Sequence, residues 1–312
     1  MYKVFIDGNQ GTTGLRLFDR LSKRDDIELL TISEDLRKDK DERRRLINES
    51  DITFLCLPDE ASRESVSLCD NENTVIIDTS TAHRTNPDWA YGFAELSDEH
   101  RQKIASSKRI AVPGCHASGF ISIVYPLIAN GIMPANYPVV CHSLTGYSGG
   151  GKKMINDYEN EKTSDLFAPR QYGLTQNHKH LKEMKVITGL DDFPIFTPIV
   201  DDYYSGMATT VPLFTKLLNK SSIDEIQSVF SNHYKNSKFI EVLPLYGGET
   251  PVTMISANEK SGKDSMKILI SGNEERIFIT SVFDNLGKGA SGAAVQCMNI
   301  SMGIDETTSL DI

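Results

Sequence analysis

No two of the five cysteines (56, 69, 115, 141 and 297) fall in C-x-x-C spacing, and their number is odd. That excludes a disulfide framework and a cysteine-built zinc site, and it fits a reducing compartment. No apolar run reaches membrane-spanning length, and no basic leader or apolar segment precedes the first strand-like run at 3–7. A cytoplasmic protein is therefore expected. Excess positive charge is missing too. A net charge of −10 argues against nucleic acid or an anionic membrane surface as the main partner and leaves small molecules, anions included. Internal repeats and low-complexity tracts are absent. What remains is an ordinary balance, 39% hydrophobic and 24% charged, in 312 residues, enough for two domains each with its own core.

The strand-like run 3–7 leads into Gly8-Asn9-Gln10-Gly11-Thr12-Thr13-Gly14 and then a helical pattern carried by Leu15, Leu17, Phe18 and Leu21. Strand, glycine turn and helix form the context a dinucleotide fingerprint needs. The spacing is G-x-x-G-x-x-G, a variant with the same physics. Gly8 permits the tight turn, Gly11 lets backbone approach a pyrophosphate, Gly14 permits close helix packing, and Thr12 and Thr13 complete the cradle. A plain loop in an α/β domain would look similar. After the second strand, 27–32, Glu34 and Asp35 would accept the ribose hydroxyl of NAD, whereas Ser33, Arg37 and Lys38 would hold the 2′-phosphate of NADP. NADP is the preferred reading. Strand-like runs at 52–57, 74–78 and 109–112 alternate with helical ones at 41–49 and 60–69. This predicts a doubly wound parallel sheet with ligands at the carboxyl ends of its strands. Leu57 and Pro58 lie where a loop would touch cofactor, and Ser80 and Arg84 where one would reach substrate. Arg43-Arg44-Arg45 reads as a solvated helix face.

Residues 110–112 read as a strand, Pro113-Gly114 breaks it, and Cys115 opens a helical pattern through Phe120, Ile121, Val124 and Leu127. A thiol on a helix's first turn meets unpaired N–H groups and the positive end of the macrodipole. Both favour thiolate, the nucleophilic form. The plainer reading makes Cys115 a small buried hydrophobe. Short strands at 139–144, 195–200, 209–213, 239–243, 267–270 and 276–283, with a capping-box helix from Ser222 to about Tyr234, predict an α+β domain. The run 146–153 has the form G-x-x-x-x-G-K, but Lys153 stands where a P-loop needs a hydroxyl for Mg²⁺. The simpler reading has Ser148, exposed amides and Lys152 binding an anion; a flexible glycine loop is the alternative. His178 and His180 share a face if the backbone is extended, and Glu183 would orient the His180 ring. An imidazole of near-neutral pKa suits a thiolate partner and a proton carrier. A polar surface loop would look the same, and no further ligands of suitable spacing make this a zinc site, so no metal is expected. Finally, Asn285, Lys288 and Gly289 enter the last helical run, 290–302, where small residues permit close ligand approach. The Asn285 amide would hold a nicotinamide carboxamide; tight helix packing would demand the same small residues.

Six blocks stand in order: Gly8-x-x-Gly11-x-x-Gly14, Tyr91-Gly92-Phe93-Ala94-Glu95-Leu96, Pro113-Gly114-Cys115-His116-Ala117-Ser118-Gly119, the run 146–153, His178-x-His180-x-x-Glu183, and Asn285-Leu286-Gly287-Lys288-Gly289-Ala290. Together they resemble the N-acetyl-γ-glutamyl-phosphate reductase family in its shorter form; longer members have Tyr-Pro after the cysteine and Arg where Lys152 stands. The resemblance implies an α/β Rossmann-type NADP-binding domain at 1–113, completed by the C-terminal helix 286–312. It also implies a glyceraldehyde-phosphate-dehydrogenase-like α+β catalytic and dimerisation domain at 114–285, NADPH as cofactor, and a homo-oligomer, dimer or tetramer. The implied reaction reduces an acyl phosphate to an aldehyde through a Cys115 thioester, with His180 moving a proton and Glu183 orienting it. Ser80, Arg84, Ser148, Lys152 and His178 would hold substrate. Gly8, Gly11, Thr12, Thr13, Gly14, Ser33, Arg37, Leu57, Pro58, Asn285, Lys288 and Gly289 would hold cofactor. Whether the acyl group is free or carrier-bound stays open. The rivals are an aspartate-semialdehyde dehydrogenase, a P-loop-type nucleotide phosphotransferase, and an NADP-binding sensor with a redox cysteine.

Overall fold

Strand β1 (Tyr2–Asp7) sends Val4 and Ile6 to one side of its sheet and Phe5 to the other, and all three are buried. A strand apolar on both faces must be covered on both faces, which is what parallel sheets require. In the computed structural model, which describes residues 1–219, 222–249 and 251–312, the covering is done by helices. The elements alternate as α1 (Thr12–Leu21), β2 (Ile27–Leu30), α2 (Lys40–Glu49), β3 (Ile52–Leu55), α3 (Asp59–Ser67), β4 (Val75–Asp78), β5 (Ala90–Tyr91), α4 (Asp98–Ser106) and β6 (Arg109–Ala111). The sheet order is β2-β1-β3-β4-β6-β5, parallel at every pairing. Leu17 and Leu21 of α1 join Val4, Ile6 and Phe54 on one face, together with Ala294, Val295 and Met298 of the C-terminal helix Gly292–Ser301. Leu46 and Ile47 of α2 meet Phe5 on the other. This unit comprises Met1–Gly114 and Ala290–Leu310.

The second unit, Cys115–Gly289 with Asp311–Ile312, is mixed. Helix α5 (Cys115–Ala129) is buried at every position from His116 to Val124, so it is a core helix with no solvent face. The chain continues through β7 (Val140–Gly146), α6 (Gly151–Glu159), β8 (Arg170–Gln171), α7 (Leu181–Thr188), β9 (Ile195–Asp201), β10 (Met207–Phe214), α8 (Ile223–Tyr234), β11 (Ile240–Val242), β12 (Met266–Gly272) and β13 (Arg276–Phe283). The strands order as β11-β12-β13-β10-β7-β9-β8, with β10 antiparallel to both neighbours and β7 parallel to β9. Helix α5 packs on β10 and β13. A Cβ on Gly119 would stand 2.3 Å from Thr209 Oγ1, so only glycine admits this approach. The other face of the sheet is uncovered within the unit and rich in apolar side chains. Ile195, Phe214 and Phe278 are all more than half exposed there, with Pro212 directly opposite Phe278. The run 146–153 takes in the last residue of β7, one 3₁₀ turn (Tyr147–Gly150) and the start of α6. Among the described residues no helix is long and apolar enough to cross a membrane.

One expectation needs correcting. Arg44 and Arg45 of α2 are exposed and pair with surface acids, but Arg43 is buried and does not belong to a solvated face. Its guanidinium bonds Asp7 Oδ2 at 3.0 Å and 3.1 Å and reaches Glu64 at 2.8 Å. Asp7 closes β1 in the interior, and a buried carboxylate there demands a cation from the helix laid over it. Arg43→Met is expected to lower stability by about 3–5 kcal/mol, because it leaves Asp7 uncompensated. Arg44→Met should stay within about 0.5 kcal/mol, and urea unfolding of the two variants distinguishes them.

Candidate active site

Cys115 is the first residue of α5, immediately after the Pro113-Gly114 break, and is partly accessible. Its Cβ lies so close to Gly289 that a methyl there would stand 3.0 Å away. The helix end supplies unpaired amides and positive potential at the sulfur. The other thiols differ. Burial pushes Cys56 up to about 12 and Cys141 further still, so both stay protonated. Cys297 is buried in the other unit, and Cys69 accepts from Arg109 at 3.7 Å.

Three imidazoles gather at this helix end. The His116 ring lies 5.8 Å from that of His178 and 5.7 Å from that of His180, and the latter two are 4.7 Å apart. Phe196 of β9 packs edge-on against His116 and His178. His180 caps α7, with Glu183 in its first turn, and both side chains are buried. His178 Nδ1 accepts the His180 backbone N–H at 3.2 Å, so a neutral His178 keeps its proton on Nε2. Burial, and then the Lys179 charge, push His178 down to about 4. His116 is fully buried, and burial followed by the His178 ring and the Lys179 charge pushes it down to about 3. Its two nitrogens meet Ser143 Oγ at 2.7 Å and the Tyr172 hydroxyl at 2.6 Å, and Ser143 meets Thr209 Oγ1 at 2.9 Å. His116 and His178 thus remain uncharged at neutral pH.

The glycine segment borders the same unit's core. Ser148 is buried and accepts from Asn285 Nδ2 at 3.0 Å, while Asn285 Oδ1 accepts from Gly206 N–H at 2.8 Å. Lys152 is exposed on the first turn of α6, and Lys288 is buried with Nζ 5.0 Å from the centre of the Phe239 ring. Among the described residues no group of three His, Cys, Asp or Glu could hold a metal ion.

In the first unit, the glycine turn joins β1 to α1 at the carboxyl end of the sheet, next to the Leu57-Pro58 loop after β3. The three glycines are not equivalent. A Cβ on Gly8 would meet the Cys56 carbonyl at 2.4 Å, at a φ of +90°, and one on Gly14 would meet the Gly8 carbonyl at 2.4 Å. At Gly11 the nearest atom is 3.7 Å away. Gly8 and Gly14 are therefore required by the turn's own packing, whereas Gly11 keeps open a space that the protein does not use. Helix α1 begins there with no side-chain cap and no acid in its first turn, so the amides around Thr12 and Thr13 suit a pyrophosphate. Ser33 and Arg37 are exposed beyond β2, the strand beside β1, with Arg37 3.6 Å from Glu34. Ser80 and Arg84 serve the loop after β4. Ser80 donates to Asp78 at 2.7 Å, and Arg84 donates to the Val112 and Thr79 carbonyls at 2.8 Å and 2.9 Å.

Residues 3–104 match the semialdehyde dehydrogenase NAD binding domain, and residues 115–285 match the semialdehyde dehydrogenase dimerisation domain. N-acetyl-gamma-glutamyl-phosphate reductases from Brucella ovis and Brucella canis are each 45% identical over 307 residues, spanning 96% of this chain and 99% of theirs. The chain belongs to the N-acetyl-gamma-glutamyl-phosphate reductase family. Aspartate semialdehyde dehydrogenase II from Vibrio cholerae, complexed with ASA, shares the fold at TM-score 0.73 and 17% identity, over 97% of this chain and 98% of that one. The enzyme from Candida albicans with NADP does so at TM-score 0.64 and 14% identity, over 96% and 98%. At such identities the likeness concerns architecture and does not favour that rival activity.

Within this reductase family's frame, sequence reasoning placed the thiol and the His178-x-His180-x-x-Glu183 run in one unit but missed the polar chain through His116, Ser143, Thr209 and Tyr172. His116 sits in the cysteine block itself, and its adjacency to Cys115 was the available signal. Ser143 and Thr209 come from two strands 66 residues apart, and nothing local announces their pairing. Also missed was the Asp78–His83 contact at 2.7 Å, with His83 stacked on Trp89 at 4.0 Å, which anchors the loop carrying Ser80 and Arg84.

The unequal glycines give a test. Gly11→Ala should stay within about 0.5 kcal/mol of wild-type stability yet weaken dinucleotide binding about tenfold or more, since the new methyl fills the cradle. Gly14→Ala should instead destabilise the fold by about 1–3 kcal/mol. Urea unfolding and fluorescence titration with NADPH and NADH read the two effects separately.

Proposed function

We propose that this protein reduces N-acetyl-γ-glutamyl phosphate to N-acetylglutamate 5-semialdehyde and phosphate, with NADPH as cofactor, in arginine biosynthesis in the cytoplasm. The observation that carries the reading is Cys115 at the amino end of a buried helix whose next residue, His116, meets the His178–His180 pair, in a chain 45% identical to reductases bearing that name. The cofactor would lie on the α1 amides and the Gly11 cradle, with Leu57 and Pro58 beside it and Ser33 and Arg37 placed for a 2′-phosphate. NADPH, when bound, supplies the hydride.

The chain's own residues supply the rest. Cys115 sulfur, held as thiolate by the helix end, attacks the acyl carbonyl, and the C–O bond to phosphate breaks as inorganic phosphate leaves. Reduction of the thioester carbonyl leaves a thiohemiacetal oxyanion on Cys115. His180, steadied by Glu183, lends that oxygen a proton and takes it back as the C–S bond breaks and the aldehyde leaves with the thiolate restored. His178 presents Nε2–H, a neutral donor suited to an acyl or phosphate oxygen. Ser148, Lys152, Ser80 and Arg84 remain candidates for the substrate's carboxylate, acetamide and phosphate, and Asn285, Lys288 and Gly289 for the nicotinamide side. Loss of Cys115 (Cys115→Ala) should abolish phosphate-dependent NADP⁺ reduction with the semialdehyde. His180→Asn should lower the rate about 10²–10⁴-fold. Near-full activity in either variant removes the corresponding role, and parallel assays with aspartate semialdehyde separate the rival substrate.

The protein also self-associates in this reading, through the uncovered face of the second unit's sheet. Support comes from the match of residues 115–285 to a dimerisation domain and from exposed Ile195, Phe214 and Phe278 on that face, an apolar display that solvent disfavours. Phe278→Lys is expected to shift the protein toward monomer in sedimentation equilibrium, and an unchanged mass would refute this surface.

A further inference from the structure

The buried hydroxyls behind the nucleophile form a chain with a direction. Thr209 is fully buried, and its hydroxyl has one partner among the described residues, Ser143 Oγ at 2.9 Å. Ser143, equally buried, has that hydroxyl and His116 Nδ1 at 2.7 Å, and His116 Nε2 lies 2.6 Å from the Tyr172 hydroxyl. A neutral imidazole donates from one nitrogen and accepts at the other, so its two links run in one of two senses. In the first, Tyr172 donates to His116 and His116 to Ser143, which leaves Ser143 and Thr209 only each other to donate to. One of their two hydrogens is then sealed in the core without an acceptor, at a cost of about 1–3 kcal/mol. In the second, Thr209 donates to Ser143, Ser143 to Nδ1, and Nε2–H to the phenol oxygen. Every buried hydrogen is used, and the one left over is the Tyr172 O–H, at the half-buried end of the chain.

We infer that His116 is a positioning residue: held as its Nε2–H tautomer by Ser143 and Thr209, it turns the Tyr172 hydrogen away from itself and presents it as a donor to the Cys115 side of the site. His116 follows Cys115 on the first turn of α5, so the same helix end fixes sulfur and imidazole together. Burial, and then the nearby Cys115 charge, hold the Tyr172 phenol well above its ordinary ionisation range, so it keeps the hydrogen it offers. The groups facing His116 are the rings of His178, His180, Tyr172 and Phe196 and the Lys179 charge. Such a donor steadies the thiolate before attack and the acyl oxygen after it, with no proton leaving the phenol. The inference rests on the reading of Cys115 as the acylated nucleophile.

Two measurements test it. In protein labelled with ¹⁵N-histidine, His116, assigned by its loss in His116→Gln, is expected to carry its proton on Nε2; a proton on Nδ1 overturns the inference whatever Cys115 does. The second is the pH profile of iodoacetamide labelling of the Cys115 peptide, read by mass spectrometry. Tyr172→Phe is expected to move the profile upward and to slow labelling at neutral pH about tenfold, the effect of about one pKa unit. Ser143→Ala, which frees His116 to take either tautomer, should move it the same way by less. A Tyr172→Phe profile that overlays the wild type overturns the donor role. Wild-type protein that is not labelled at Cys115 at all overturns the nucleophile reading instead, while the tautomer still decides the orientation.

Discussion

The contact between Gly119 and Thr209 sets the distance between the cysteine helix and its sheet, and much of the second unit follows from that distance. With 2.3 Å between a would-be methyl and Thr209 Oγ1, the α5 backbone at Gly119 rests directly on the Thr209 and Phe283 side chains, with no side chain of its own between. That closeness brings His116, three residues earlier, within reach of Ser143 on the adjacent strand. It also seats Cys115 against Gly289, where the chain turns out of β13. Glycine at 119 and at 289 does the same physical job at two contacts: it removes volume, so that α5 can lie close on Thr209 and Cys115 can lie close to the backbone at 289.

Buried charge is handled in a consistent way in the first unit. Asp7 and Asp78 each end a central parallel strand, and each is fully enclosed. Asp7 is satisfied by Arg43 and Ser65, and Asp78 by Ser80 and His83. Carboxylates at strand ends thus pin the segments that follow, one a helix and one a loop, at the edge where a parallel sheet receives ligands. The Arg84 bonds to Val112 and Thr79 extend the scheme to the residue just before the Pro113-Gly114 break.

Much of this was legible in the chain itself. The alternation of apolar runs announced a parallel sheet, because burial on both faces leaves no other pattern, and the strand–glycine–helix order fixed the turn at Gly8, Gly11 and Gly14. The mixed sheet was legible as a class but not in its order, since β7 lies between β9 and β10 through pairings made across long stretches of chain. Arg43 was misread because charge patterning along a helix says nothing about which turn faces a buried acid from another strand. The polar chain to Tyr172 escaped for the same reason, as hydroxyl residues in strands look alike until the register joins them.

The register of the second sheet gives adjacent residues different duties. On β7, Ser143 faces α5 while His142 and Leu144 face the uncovered side, and on β10 the same division separates Thr209 from Thr210. Proton arrangement and surface assembly are therefore written in alternate letters of one strand. An insertion or deletion of a single residue in either strand would exchange the two scripts wholesale, burying the wrong letters and baring the right ones. These strands should accordingly tolerate substitution far better than changes of length.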